Sequence, residues 1–183
     1  MSKIRNSVRH PRFVTNDNTI SLSDLLDDLE KTIEKKDSVG LEEVFEYAES
    51  NDLLEKVIKR FHFGVLYDLL DTQDFQLIKM ALDRVGYNII TDDDETPLTW
   101  AASEGKLDCV KFLIENGADV NLETSDENFP LYSAIQNLET DRANIKVFEY
   151  LYPLTSEDLQ RDILEYLRDS PIGEEIRGFE RLW

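Results

Sequence analysis

Few side chains in this sequence are of types that do chemistry, and their spacing gives each a modest task. The two histidines, His10 and His62, lie far apart. The second falls between Phe61 and Phe63 in a helical stretch, where a single imidazole reads as a structural or surface group. The run Ala101-Ala102-Ser103-Glu104-Gly105 has the outline of a nucleophile elbow with its first glycine replaced. Such an elbow needs a strand before its serine, whereas the pattern here ends a helix at Ser103. Cys109 occupies a core aliphatic position, so a buried, inert thiol is expected. Asp92, Asp93 and Asp94 could gather a cation, but a calcium loop spaces its ligands at alternate positions around a glycine, and these run straight into Thr96-Pro97. A glycine-rich phosphate loop and paired Cys or His at metal spacing are both missing from the sequence. The expectation is no catalytic residue, no metal, no cofactor and no enzyme.

Composition narrows the remaining classes. The chain has 183 residues, enough to bury a core without staples, and its one cysteine excludes an intramolecular disulfide and fits a reducing, cytoplasmic setting. Apolar runs stop far short of the about 20 residues that span a bilayer, and residues 1–20 have no apolar leader segment. Twenty Lys and Arg stand against 39 Asp and Glu, a formal net charge of −19. Nucleic acid and anionic membranes are disfavoured partners, because both are held by cations on the protein, whereas a basic protein would be steered in. The charge is uneven: residues 1–20 carry Lys3, Arg5, Arg9 and Arg12 against Asp17 alone, and read as a flexible basic arm.

The elements that must position any site are helices. From Ser21, Leu22, Leu25, Leu26, Leu29 and Ile33 recur at helical spacing, with acids early and lysines late. Further helices follow around Leu41 to Ala48, Leu53 to Phe61, Val65 to Leu70, and Phe75 to Leu82, the last ending near Gly86. Their connectors are short, which implies antiparallel neighbours, and no segment keeps a period of two long enough for a sheet. The fold class is all-α.

Residues 96–121 read TPLTWAASEGKLDCVKFLIENGADVN. Pro97 suits the first turn of a helix capped by Thr96, Ala101 and Ala102 allow close helix approach, Gly105 permits a tight reversal, and Gly117 ends the second helix. Leu107, Val110, Leu113 and Ile114 form that second helix's core stripe. The stretch closely resembles an ankyrin repeat. Pro130 follows Pro97 by 33 residues, and Phe129-Pro130-Leu131-Tyr132-Ser133-Ala134-Ile135 mirrors the first helix, so a second repeat occupies 124–154, with extra residues around Glu139 to Asn144. Upstream, Val65 to Gly86 fits as a degenerate repeat, Leu66 opposite Leu98 and Phe75 opposite Leu107. Residues 155–169 open with a capping box of Thr155 and Asp158 and place Leu159, Ile163, Tyr166 and Leu167 on one face, as a terminal cap requires.

The resemblance implies a short solenoid of stacked helix pairs: a divergent helical extension over 21–90, repeats over 91–154 and a C-terminal cap over 155–183, together a single domain over 21–183. Two departures from the family pattern stand out. Thr99 and Tyr132 replace the usual histidine, and Asp94 and Glu127 replace the turn glycine, so the loop tips are expected to deviate from the usual hairpin. The resemblance also implies a protein-binding function through loop tips and exposed first-helix positions. Carried over, these are Asp92, Asp93, Glu95, Ser103, Glu104 and Asn116 in the first repeat, beside which Trp100 either reaches the groove or packs in the inter-repeat core. In the second they are Ser125, Asp126, Asn128, Tyr132, Gln136 and Asn137, with Glu123 and Glu127 adjacent. An acidic face with an aromatic anchor suits a basic protein partner, held by a monomeric inhibitor or immunity protein of a basic toxin or nuclease. The alternative is an adaptor, scaffold or effector that links two partners.

Overall fold

A computed structural model of the chain describes residues 20–136 and 143–168. The basic arm, Asn137, the extra residues up to Arg142, and the end of the cap after Arg168 lie outside the described residues. Among those described, every regular element is a helix. The chain falls into two compact units, divided between Gly86 and Tyr87.

The first unit begins with α1 (Leu22–Glu34), whose N-terminal cap is Ser21, its hydroxyl accepting from the Asp24 amide. Next come α2 (Ser38–Ser50), capped by Asp37, and α3 (Leu54–Arg60). A wide turn over Phe61–Val65 follows, its backbone leaving the helical region at Phe63 and Gly64. The unit ends with α4 (Leu66–Asp71) and α5 (Phe75–Val85). Helix α2 packs on α1, α3 and α5, and the sequence stripe Leu25, Leu29 and Ile33 is buried. Phe45 and Phe61 stack at 6.2 Å in the middle of this core. Arg84 lies 5.0 Å over the Phe45 ring and pairs with Glu42 and Glu49, covering the aromatic edge with charge.

Helices α4 and α5 are the pair that the sequence places as a degenerate repeat. They are joined by Thr72-Gln73-Asp74, with Gln73 in the left-handed region at φ +52° and Asp74 capping α5 through the amides of Gln76 and Leu77. The same turn recurs in the second unit, where Gly105 takes φ +64° between α6 (Pro97–Ser103) and α7 (Leu107–Glu115).

The second unit stacks like on like. Helix α6 packs on α8 (Pro130–Gln136), and α7 packs on α9 (Ala143–Leu151). A single 3-10 turn, Tyr152–Leu154, leads to α10 (Glu157–Arg168). Close stacking needs small residues at the contact, and Ala101, Ala102 and Ala134 are buried completely. The start of α6 follows from its sequence: Thr96 accepts from the Thr99 amide, the Thr99 hydroxyl accepts from the Thr96 amide at 2.7 Å, and Pro97 has no amide to leave unsatisfied. Thr99 thus replaces the usual histidine by closing the helix start locally. Helix α7 ends as expected, with Gly117 at φ +104° and the Ala118 amide bonding back to the Leu113 carbonyl. Its buried stripe is Cys109, Val110 and Leu113, while Leu107 and Ile114 are half-buried at its edges.

One expected feature of α10 is corrected. The helix begins at Glu157, so Thr155 stands one residue too early to cap it, and its buried hydroxyl donates back to the Leu151 carbonyl at 3.0 Å. Ser156 takes the place before the helix, its amide held by the Asn121 side chain at 2.7 Å.

Candidate binding surface on the loop tips and the last helix

Two loop tips precede the first helices of the second unit. In each, a threonine amide reaches the carbonyl four residues on: Thr91 to Glu95 at 2.8 Å and Thr124 to Asn128 at 2.9 Å. In each, the residue in the glycine position donates its amide back to that threonine, Asp94 to Thr91 and Glu127 to Thr124, both at 3.1 Å. Asp94 and Glu127 both take φ +58°. The expected deviation of the tips is therefore corrected. The hairpin closes alike in both repeats, and two carboxylate residues accept the left-handed backbone that glycine would take at lower cost.

Asp94 has a compensation that glycine could not supply. Its carboxylate accepts the Ser125 hydroxyl at 2.6 Å, the Ser125 amide at 3.2 Å and the Asp126 amide at 2.7 Å, so the first tip is tied to the second. These donors, the Ser125 hydroxyl foremost, hold the Asp94 carboxyl down at about 2 against an ordinary 3.8. Asp92, Asp93, Asp126 and Glu127 are exposed around this clamp, with Glu95 half-buried beside it.

The other expected positions are less uniform. Trp100 is half-buried on α6, and the Lys106 ammonium sits 4.6 Å over its ring, so the aromatic already faces a cation of its own unit. The Ser103 hydroxyl donates to the Trp100 carbonyl at 2.9 Å, at the end of a helix, as the helical pattern requires. Glu104 and Gln136 are exposed just past and at the ends of α6 and α8. Asn128 is half-buried, and its side-chain oxygen accepts the Ser133 hydroxyl at 2.8 Å. Asn116 is spent at the end of α7, its amide donating to the Phe112 carbonyl. Cys109 is buried, and burial pushes its thiol up to about 11 against a smaller opposing pull from Lys106.

A cavity of about 320 Å³ opens beside the second tip. Glu123, Asp126, Glu127 and Phe129 come from the tip, Tyr132 from α8, and Asp162, Ile163 and Tyr166 from α10. Tyr132 stands at the centre, tilted against Phe129 at 6.0 Å and edge-on to Tyr166 at 5.5 Å. Sequence reasoning places Asp126 and Tyr132 in the binding set but leaves Tyr166 and Asp162 out. Tyr166 reads there as part of the apolar stripe of α10, yet 46% of it is exposed, in contrast to buried Leu159, Ile163 and Leu167. The signal that marks it is its company: an aromatic one turn after Asp162 and next to Glu165.

Among the described residues, no group of three or more His, Cys, Asp or Glu is arranged to hold a metal ion, and no helix is long and apolar enough to cross a membrane. A family model described as ankyrin repeats in three copies matches residues 66–167. The match begins at the first residue of α4 and runs nearly to the end of α10, so it takes in the helix pair of the degenerate repeat as well as the two tip-bearing repeats and covers more than half of the chain. The chain belongs to the ankyrin-repeat family, whose repeats are protein–protein interaction modules and generally not enzymes.

Proposed function

We propose that the chain is a non-enzymatic, cytoplasmic binding protein whose acidic loop tips take a basic protein partner, in the manner of an inhibitor or immunity protein that blocks a basic toxin or nuclease. The observation that carries this reading is the Asp94 clamp. It fixes two tips side by side and leaves the carboxylates of Asp92, Asp93, Asp126 and Glu127 facing outward. A surface of one sign attached to a chain of net charge −19 raises the encounter rate with a cationic partner, and pre-ordered tips lose little entropy on binding. Replacing Asp92, Asp93 and Glu95 together by lysine should slow association by about tenfold at low salt and flatten its salt dependence, because steering of this kind is electrostatic and screened. Association kinetics that are unchanged by the triple substitution would remove this face from the reading.

The first of the two compact units also carries the cationic residues of 1–20, which favours a second reading, an adaptor that links two partners and holds one of them through that basic arm. Deleting residues 1–20 distinguishes the two. An inhibitor keeps full affinity for its one target, whereas an adaptor that uses its basic arm loses a partner.

A further inference from the structure

The cavity between the second tip and α10 combines two chemistries that rarely meet by accident of packing. Its floor is aromatic: Phe129, Tyr132 and Tyr166 form a continuous chain of rings at 6.0 and 5.5 Å. Its rim is anionic: Glu123, Asp126, Glu127 and Asp162 all line it, and among the described residues no basic one does. The arginines of α10 pair along their own helix, Arg161 with Asp158 and Arg168 with Glu165. Four carboxylates thus share one opening without a cation from the described residues between them.

A bare metal ion is a poor match for this lining, since aromatic carbons offer it no ligand and, among the described residues, the acids do not group so as to hold one. A neutral apolar group would satisfy the rings and leave the charge uncompensated. A side chain with an apolar stem and a cationic head satisfies both, its stem lying on the ring faces and its head at the rim. The guanidinium of arginine fits best, because it is planar, stacks on aromatic faces and offers paired donors to carboxylates. At about 320 Å³ the cavity lies at the small end of ligand pockets, which begin at about 300 Å³, a size for one side chain rather than a folded element.

We infer that the cavity lined by Tyr132, Tyr166, Phe129, Asp126 and Asp162 is the anchor pocket for an arginine side chain of the basic partner. This rests on the basic-partner reading above and sharpens it, since the tips attract and the pocket grips. Of the two aromatics in the expected binding set, it assigns the anchor to Tyr132, paired with Tyr166, rather than to Trp100, which Lys106 covers.

The test is fluorescence anisotropy of a labelled hexa-arginine peptide with the full chain at low salt. It is repeated with an otherwise identical citrulline peptide, which keeps the shape and loses the charge. The wild-type chain should bind the arginine peptide and not the citrulline one. Tyr166→Ala should raise Kd about tenfold and Asp162→Asn about threefold, while Tyr166→Phe, which keeps the ring, should remain within about twofold of wild type. Tyr166 is half exposed, so its replacement leaves the core intact. If the peptide binds equally well to wild type and Tyr166→Ala, the pocket inference is overturned while the basic-partner reading stands. If the full chain binds only after Arg177 and Arg181 are changed to glutamine, the occupant is the chain's own C-terminal segment and the inference is overturned in favour of that. If no form binds, the inference falls together with the basic-partner reading.

Discussion

Asn144 offers the sharpest test of how the second unit is held together. It stands at the start of α9, where the extra residues of the second repeat end, and is only 1% exposed. Its side-chain amide donates to the carbonyl of Ser103 at 2.8 Å and of Ala102 at 3.3 Å, both in the last turn of α6. A helix leaves its last carbonyls without partners inside the helix, so this one side chain ends α6 and fixes α9 against it. The Ala102 carbonyl also accepts the Gly105 amide at 3.2 Å, so the Ser103 bond is the one that matters most. Asn144→Ala removes one good hydrogen bond, worth about 1 kcal/mol, and with it a buried Oδ1 that has no hydrogen-bond partner, whose removal offsets the lost packing of the side chain. The expected loss is about 1 kcal/mol, or roughly 2–4 °C in Tm for a chain of this size. Urea unfolding followed by the fluorescence of Trp100, which lies one turn from the contact on α6, reads it in a Trp183→Phe background. Asn144→Asp should be at least as harmful, since it keeps the shape and replaces the donor by an anion facing carbonyl oxygens. A loss below about 0.5 kcal/mol for the alanine variant would refute this account of how α9 is held to α6.

The two tips predict different outcomes for one substitution. Glu127→Gly removes left-handed strain at φ +58° and should stabilise by about 0.5–1 kcal/mol, whereas Asp94→Gly gains the same relief but loses the clamp, and its unfolding midpoint should fall below that of Glu127→Gly. The clamp also sets a pH dependence. Because the folded Asp94 carboxyl sits at about 2, below its ordinary 3.8, its contribution is full above about pH 4 and is lost as the pH falls from there toward 2. The stability difference between wild type and Asp94→Asn should therefore shrink over that interval, as urea midpoints measured at a series of pH values will show. Cys109, buried and pushed up to about 11, should resist a thiol reagent at pH 8 in the folded protein and react at once after unfolding. Fast modification of the native chain would contradict its place in the core.

What the sequence carried legibly was everything that depends on neighbours in the chain. The Thr96-Pro97 start of α6, the Gly117 stop of α7 and the helical stripe of α1 are local signals, and each falls where its residues place it. The helix pair α4 and α5 was legible by register alone, without the signature residues, because paired helices need apolar spacing and a left-handed turn residue more than they need a particular motif. What failed had a common cause. Asp94 and Glu127 look unfavourable at a glycine position when each is weighed alone, but Asp94 is stabilised by amides 31 and 32 residues away. Thr155 looks like a cap until Asn121, 35 residues back, is seen to hold the Ser156 amide. Tyr166 joins the binding surface because α10 lies beside the second tip, and no local pattern encodes that juxtaposition.

The central claim is that the acidic tips capture a basic protein, and one measurement tests it most directly. The wild-type chain and the triple variant with lysine at positions 92, 93 and 95 are used side by side to purify partners from the lysate of the organism of origin, at low and at moderate salt. The account predicts one basic protein, retained in stoichiometric amount by the wild type, released as salt rises and absent from the variant. A partner that is acidic, or that stays bound to both forms at every salt concentration, would contradict it.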